Sequence, residues 1–163
     1  MGESRPVVTL LGIGNATMGD DGVGIEVARR LEETARYLGV LVVADGLAHM
    51  GLLRHFVESD VVVVIDAIDA QAEAGAVFRF DPDAAGVTQL RSHNIHGMGV
   101  GYLLTNARLL GHHPRVVVFA VQVRDVLPRE GLSAEVAEAA GRVERLVEDE
   151  LRHLVAASSW EAV

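Results

Sequence analysis

Residues 61–65 read Val-Val-Val-Val-Ile and run directly into Asp66. Five consecutive β-branched side chains resist a helix, because each loses χ1 freedom against the preceding turn, and the run is too short for a buried helix. It therefore reads as a strand covered on both faces, which is the setting of a parallel sheet flanked by helices. Two more apolar runs, VVTLLGI at 7–13 and RVVVFAV at 115–121, have the same character, and a shorter one covers 40–44. With 50% hydrophobic but only 4% aromatic residues, aliphatic side chains must fill the core.

Helical patterns separate these runs. From Gly22 to about Tyr37 the residues Val23, Val27, Leu31 and Ala35 recur every four positions opposite Arg29, Arg30, Glu32 and Glu33, and Gly39 suits the helix stop. Leu52, Leu53 and Phe56 give helical spacing within 50–57, and residues 97–110 predict another helix. Ser133 opens the last helix, with Glu135 in its first turn and an apolar stripe at Val136, Ala140, Val143, Val147, Leu151 and Leu154. Residues 76–80 predict a weaker edge strand before the Asp81-Pro82-Asp83 turn. The alternation predicts one α/β domain over 1–156, a three-layer α/β/α sandwich around a mostly parallel central sheet of about five strands, with a disordered tail at 157–163. Ligands of such sheets collect at the carboxyl ends of strands, where Asp21, Asp45 and Asp66 follow three successive runs.

Composition removes several chemistries. Fourteen cationic against twenty-three acidic side chains give a net charge of −9, which repels phosphate backbones, so no nucleic-acid partner is expected. No run approaches the ~18 to 20 apolar residues of a membrane span, and MGESRPVV lacks the features of a secretory signal, so a cytoplasmic protein without membrane attachment is expected. The chain has no cysteine, and all fourteen cations are arginine. Thiolate, iron–sulfur, Ser–Lys, P-loop and Schiff-base chemistries are thereby excluded. The glycine-rich segment 12–24 invites a dinucleotide-binding reading, but Thr17 stands where the third glycine is needed and two carboxylates at its end would repel a diphosphate. No G-x-S-x-G elbow is present.

Carboxylates and imidazoles remain. Asp20 and Asp21 precede a helix, where one carboxylate suffices as a cap and leaves the second to face the crevice. Asp66 reads either as the residue that fixes the next turn or as a group at the ligand edge, while Asp69, three residues on, is expected to be solvated. His93 and His96 lie three apart where a loop enters a helix, which can bring both rings to one face. Two aspartates and a histidine make a sensible first shell for a divalent metal, imidazole suiting nickel or zinc and carboxylates supplying charge. His112 and His113 beside Pro114 read as turn residues, and His153 as a helix-surface residue.

The GIGN turn, Gly19-Asp20-Asp21-Gly22-Val23-Gly24, Asp45-Gly46, VVVVIDAI ending the third strand in Asp66, Asn94-Ile95-His96-Gly97-Met98-Gly99 and Gly131-Leu132-Ser133 together resemble the hydrogenase maturation endopeptidases, in order and over nearly the whole chain. The resemblance implies an aspartyl-type, nickel-dependent endopeptidase that removes the C-terminal extension from the precursor of a nickel–iron hydrogenase large subunit after nickel insertion, and so activates that enzyme. It maps the metal ligands onto Asp21, Asp66 and His96 and the residue taking part in cleavage onto Asp45. It also implies that nickel arrives bound to the substrate, that zinc or cadmium can substitute, and that the protein is a monomer or weak homo-oligomer.

One segment departs from the family. After the second strand a D-G-G-T-x-G pattern is usual, whereas this chain has Asp45-Gly46-Leu47-Ala48-His49-Met50-Gly51. Losing a glycine and the threonine reduces backbone freedom there. The change motivates an alternative, a nickel-sensing checkpoint or chaperone that contacts a hydrogenase subunit without cutting it. His49 reads either as an added ligand or, more ordinarily, as a surface histidine.

Overall fold

Alternation along the central strands sends side chains to two separate cores. The computed structural model describes residues 5–82 and 99–157. Its five strands are β1 (Val8–Gly12), β2 (Leu41–Ala44), β3 (Val61–Ile68), β4 (Val77–Phe80) and β5 (Arg115–Gln122). They form one sheet in the order β2-β1-β3-β5-β4, with every pairing parallel except β4 against β5. Val61, Val63 and Ile65 pack with Leu10, Val117 and Phe119 in one core, while Val62 and Val64 join Leu11, Val116 and Val118 in the other.

Helices α1 (Val23–Arg30), α2 (Glu32–Leu38) and α5 (Ala134–Ala156) cover the first face. Helices α3 (Leu53–Glu58) and α4 (Val100–Leu109) cover the second through Phe56, Leu103, Leu104 and Ala107. The three-layer α/β/α sandwich and the edge position of β4 agree with the sequence reading, while the antiparallel direction of β4 goes beyond it. The tail at 158–163 lies outside the described residues, as do 83–98.

Two details correct the expectations. The helix read from Gly22 to Tyr37 is divided at Leu31, whose N–H is shared between the carbonyls of Val27 and Ala28. The bend keeps Val23, Val27, Leu31 and Ala35 all in the core, and Gly39 ends α2 in the left-handed region at φ 77°. The third strand also continues past Asp66 to Ile68, because β5 goes on pairing (Asp66 with Ala120, Ile68 with Gln122) after β1 has stopped at the Gly12–Ile65 pair.

The order of the strands fixes where a ligand can sit. The chain leaves β1 for β2 on one side and returns to β3 on the other, so their carboxyl ends diverge into a crevice at this switch point. Asp66 stands at the step where β1 has ended and β5 still pairs with β3.

Candidate functional site

The loop leaving β1 is pressed onto β3 by missing side chains. A Cβ on Gly24 would overlap the carbonyl oxygens of Ile65 and Ile13, and one on Gly12 would overlap the Gly24 carbonyl. Only glycine permits backbone contact this close. Ile13 N–H donates to the Ile65 carbonyl at 3.0 Å, and Gly14, at φ 145°, has its N–H bonded to the Gly46 carbonyl at 3.2 Å. The ends of β1, β2 and β3 are thereby laced together, with the 3-10 turn Gly19–Gly22 packed against β3.

Asp20 and Asp21 lie in that turn and both are buried. Asp20 does not cap the helix that follows it, which has no side-chain cap. Its carboxylate reaches across the chain to accept from Ser133 N–H at 2.6 Å, Ser133 Oγ at 2.8 Å and Arg124 N–H at 2.9 Å. Burial alone would raise its pKa, but these bonds together with one from the Asp125 N–H outweigh burial and hold the carboxyl below its ordinary value. Arg129 completes the tie: its backbone bonds Thr17 and Gly19, and its guanidinium reaches Asp125 at 3.0 Å and Asp20 at 3.5 Å. Sequence reading missed Arg124, Asp125 and Arg129, since partners 104 to 113 residues away leave no local signal.

Asp66 is half-buried, and its Oδ1 accepts from Ala67 N–H at 2.8 Å. Alternation puts it on the face of Val62 and Val64, toward α3 and α4. The contact of Gly24 with Ile65 brings the loop of Asp21 to the residue before Asp66. Helix α4 descends from the same rim, since it leads into β5 at the end where Arg115 pairs with Val61. His93 and His96, shortly before α4, lie outside the described residues. Among the described residues no three acidic or imidazole side chains form a metal cluster. Asp69 is exposed, as expected, and its Oδ1 also accepts from Gln71 N–H at 3.2 Å and Gln122 Nε2 at 3.3 Å.

Asp45 follows β2 and is exposed. Its Oδ1 accepts from Gly46 N–H at 2.8 Å and its Oδ2 lies 3.2 Å from His49 Nε2. The Gly46 bond, then the His49 bond, lower its pKa. Buried His55 carries a lowered pKa, chiefly from burial and then from Arg54. His112, His113 and His153 are exposed, as expected.

A family model described as hydrogenase maturation protease (HycI) matches residues 25–150. A putative hydrogenase maturation protease of Methanocaldococcus jannaschii is 29% identical over 89% of this chain and 96% of its own length. The hydrogenase expression/formation protein HupM of Azotobacter chroococcum is 31% identical over 69% of this chain, which spans only 54% of that longer protein. Among solved structures, the hydrogenase maturating endopeptidase HybD of E. coli superimposes with TM-score 0.79 at 21% identity, covering 90% of this chain and 93% of that one. The [NiFe] hydrogenase maturation protease HycI of Thermococcus kodakarensis gives TM-score 0.75 at 25% identity, covering 91% and 94%.

Proposed function

Because the chain belongs to the hydrogenase maturation protease family, we propose that it is the endopeptidase that removes the C-terminal extension of a nickel–iron hydrogenase large-subunit precursor once nickel is in place. In this reading nickel is part of the substrate, and Asp21, Asp66 and His96 engage it to position the scissile bond. The donor set of two carboxylates and an imidazole suits such an ion. The observation that carries the proposal is the close seat of the Asp21 loop on β3 beside Asp66, at the switch point of the sheet.

Asp45 acts as general base. Like any unburied aspartate it is ionised at neutral pH, so it can take a proton from the water whose oxygen attacks the scissile carbonyl carbon. The same proton then passes to the departing amine as the C–N bond breaks. Asp45's exposure at the rim leaves it open to a macromolecular substrate.

The test is incubation with a purified nickel-loaded precursor, read by mass spectrometry. The wild-type protein is expected to shorten it, and alanine at Asp21, Asp66 or His96 to lower the rate by roughly 10- to 100-fold or more. Intact processing by those variants ends the assignment. The lowered pKa of Asp45, which weakens it as a proton acceptor, and the altered 46–51 loop favour a second reading, the non-cleaving nickel-sensing checkpoint. An unchanged precursor mass with retained nickel-dependent binding would select it.

A further inference from the structure

The loop after β2 contains a histidine with both ring nitrogens engaged. His49 Nδ1 accepts from Gly51 N–H at 3.0 Å, capping the 3-10 turn Met50–Leu52. A backbone N–H only donates, so Nδ1 carries the lone pair and the ring proton of the neutral imidazole sits on Nε2. Nε2 lies 3.2 Å from Asp45 Oδ2, while Asp45 Oδ1 is taken by Gly46 N–H. Each carboxylate oxygen therefore has one donor, and both donors belong to the six residues after Asp45.

The loop is shaped around this ring. A Cβ on Gly51 would stand 2.6 Å from His49 Cε1 and 2.8 Å from Nδ1, so glycine there lets the imidazole lie over the backbone N–H from which it accepts. Ala48 packs against the core under α3, which anchors the turn from below. With both nitrogens engaged, His49 would ligate a metal only by giving up one of these two bonds.

We propose that His49 is a positioning residue for Asp45: its Nε2–H orients the carboxylate in the loop where a family threonine and glycine are missing. The proposal rests on the reading of Asp45 as general base. Held only by the Gly46 N–H, an exposed aspartate on a short loop keeps freedom about χ1 and χ2, and a general base must lie within hydrogen-bond reach of its water. The imidazole, itself fixed by Gly51, removes that freedom. His49 contributes no proton to the reaction and touches no substrate atom.

Two substitutions separate orientation from mere folding of the loop. His49→Asn keeps an acceptor near the Nδ1 position and is a good cap, but does not reach Asp45. His49→Gln extends an amide donor to the Nε2 position. The expected result is that His49→Asn unfolds at the wild-type temperature yet loses roughly tenfold in kcat at nearly constant KM, and that His49→Gln restores most of it. Gly51→Ala, which expels the ring, is expected to match His49→Asn. Carbon-13 titration of the Asp45 carboxyl in the free protein supplies a reading without substrate: its pKa moves upward in His49→Asn and stays in His49→Gln. An unchanged kcat and an unchanged Asp45 titration in His49→Asn overturn the proposal while leaving Asp45 as base. Intact processing by Asp45→Asn overturns the reading of Asp45 itself, and the role of His49 with it.

Discussion

Asp20 is completely buried, and its carboxylate satisfies the backbone N–H groups of Arg124, Asp125 and Ser133 and the Ser133 hydroxyl, all from the segment between β5 and α5. Buried donors stripped of an ionised acceptor cost about 1 to 3 kcal/mol each. Asp20→Asn keeps the shape but turns an NH2 toward a backbone N–H that can only donate, whichever oxygen is replaced, so a loss of about 3 kcal/mol is expected in chemical denaturation. The pH dependence has a definite sign. Asp20's carboxyl lies below its ordinary value of 3.8 in the folded chain, so its contribution is fully present above that value and is lost as pH falls through the folded value. The gap between wild type and Asp20→Asn should therefore narrow in acid, and a gap constant from neutral pH to about 2 would contradict this account.

Helix α1 is seated in part by contacts between main chains. Gly24 meets the carbonyls of Ile65 and Ile13, and Gly12 meets the Gly24 carbonyl beside the Ala28 Cβ, so at Gly24 helix and strands touch backbone to backbone. Gly24→Ala must push α1 off the sheet, because the opposing atoms are main chain and cannot turn aside. A loss of about 1 to 3 kcal/mol is expected, the usual range for overpacking, and processing should fall further than stability because Asp21 moves with the helix. Unaltered processing at reduced stability would show that the seat of α1 does not govern the site. These elements were legible from sequence, since β-branched runs and a four-residue apolar repeat are set by neighbours a few positions away. The bend at Leu31 was not, because it answers to the curvature of the surface the helix covers. The candidate site was legible only in its strand-end acids. Asp20's partners lie more than a hundred residues off, and the role of His49 depends on a ring orientation that the spacing Asp45–His49 permits but does not require.

At the scale of the whole molecule, the proposed nickel contacts come from positions 21, 66 and 96, and the crevice between β1 and β3 exists only when the chain has folded on both sides of β1. An unfolded chain has no such site, so any ligand gripped there stabilises the entire domain rather than one segment. Amides at the centre of β3, fully buried between two helical layers, open only with the global transition and report that stabilisation directly. Free ligand at 100 times Kd adds about 2.7 kcal/mol and slows such exchange roughly 100-fold. Hydrogen exchange on isotope-labelled protein reads this chain alone in the presence of the precursor. Nickel-loaded precursor is expected to slow the β3 amides well beyond nickel-free precursor at equal concentration, and Asp21→Asn with Asp66→Asn to remove the difference. Equal slowing by both forms in the wild type would mean that the surface recognises the subunit and not its metal, and the part given to the two aspartates would have to be withdrawn.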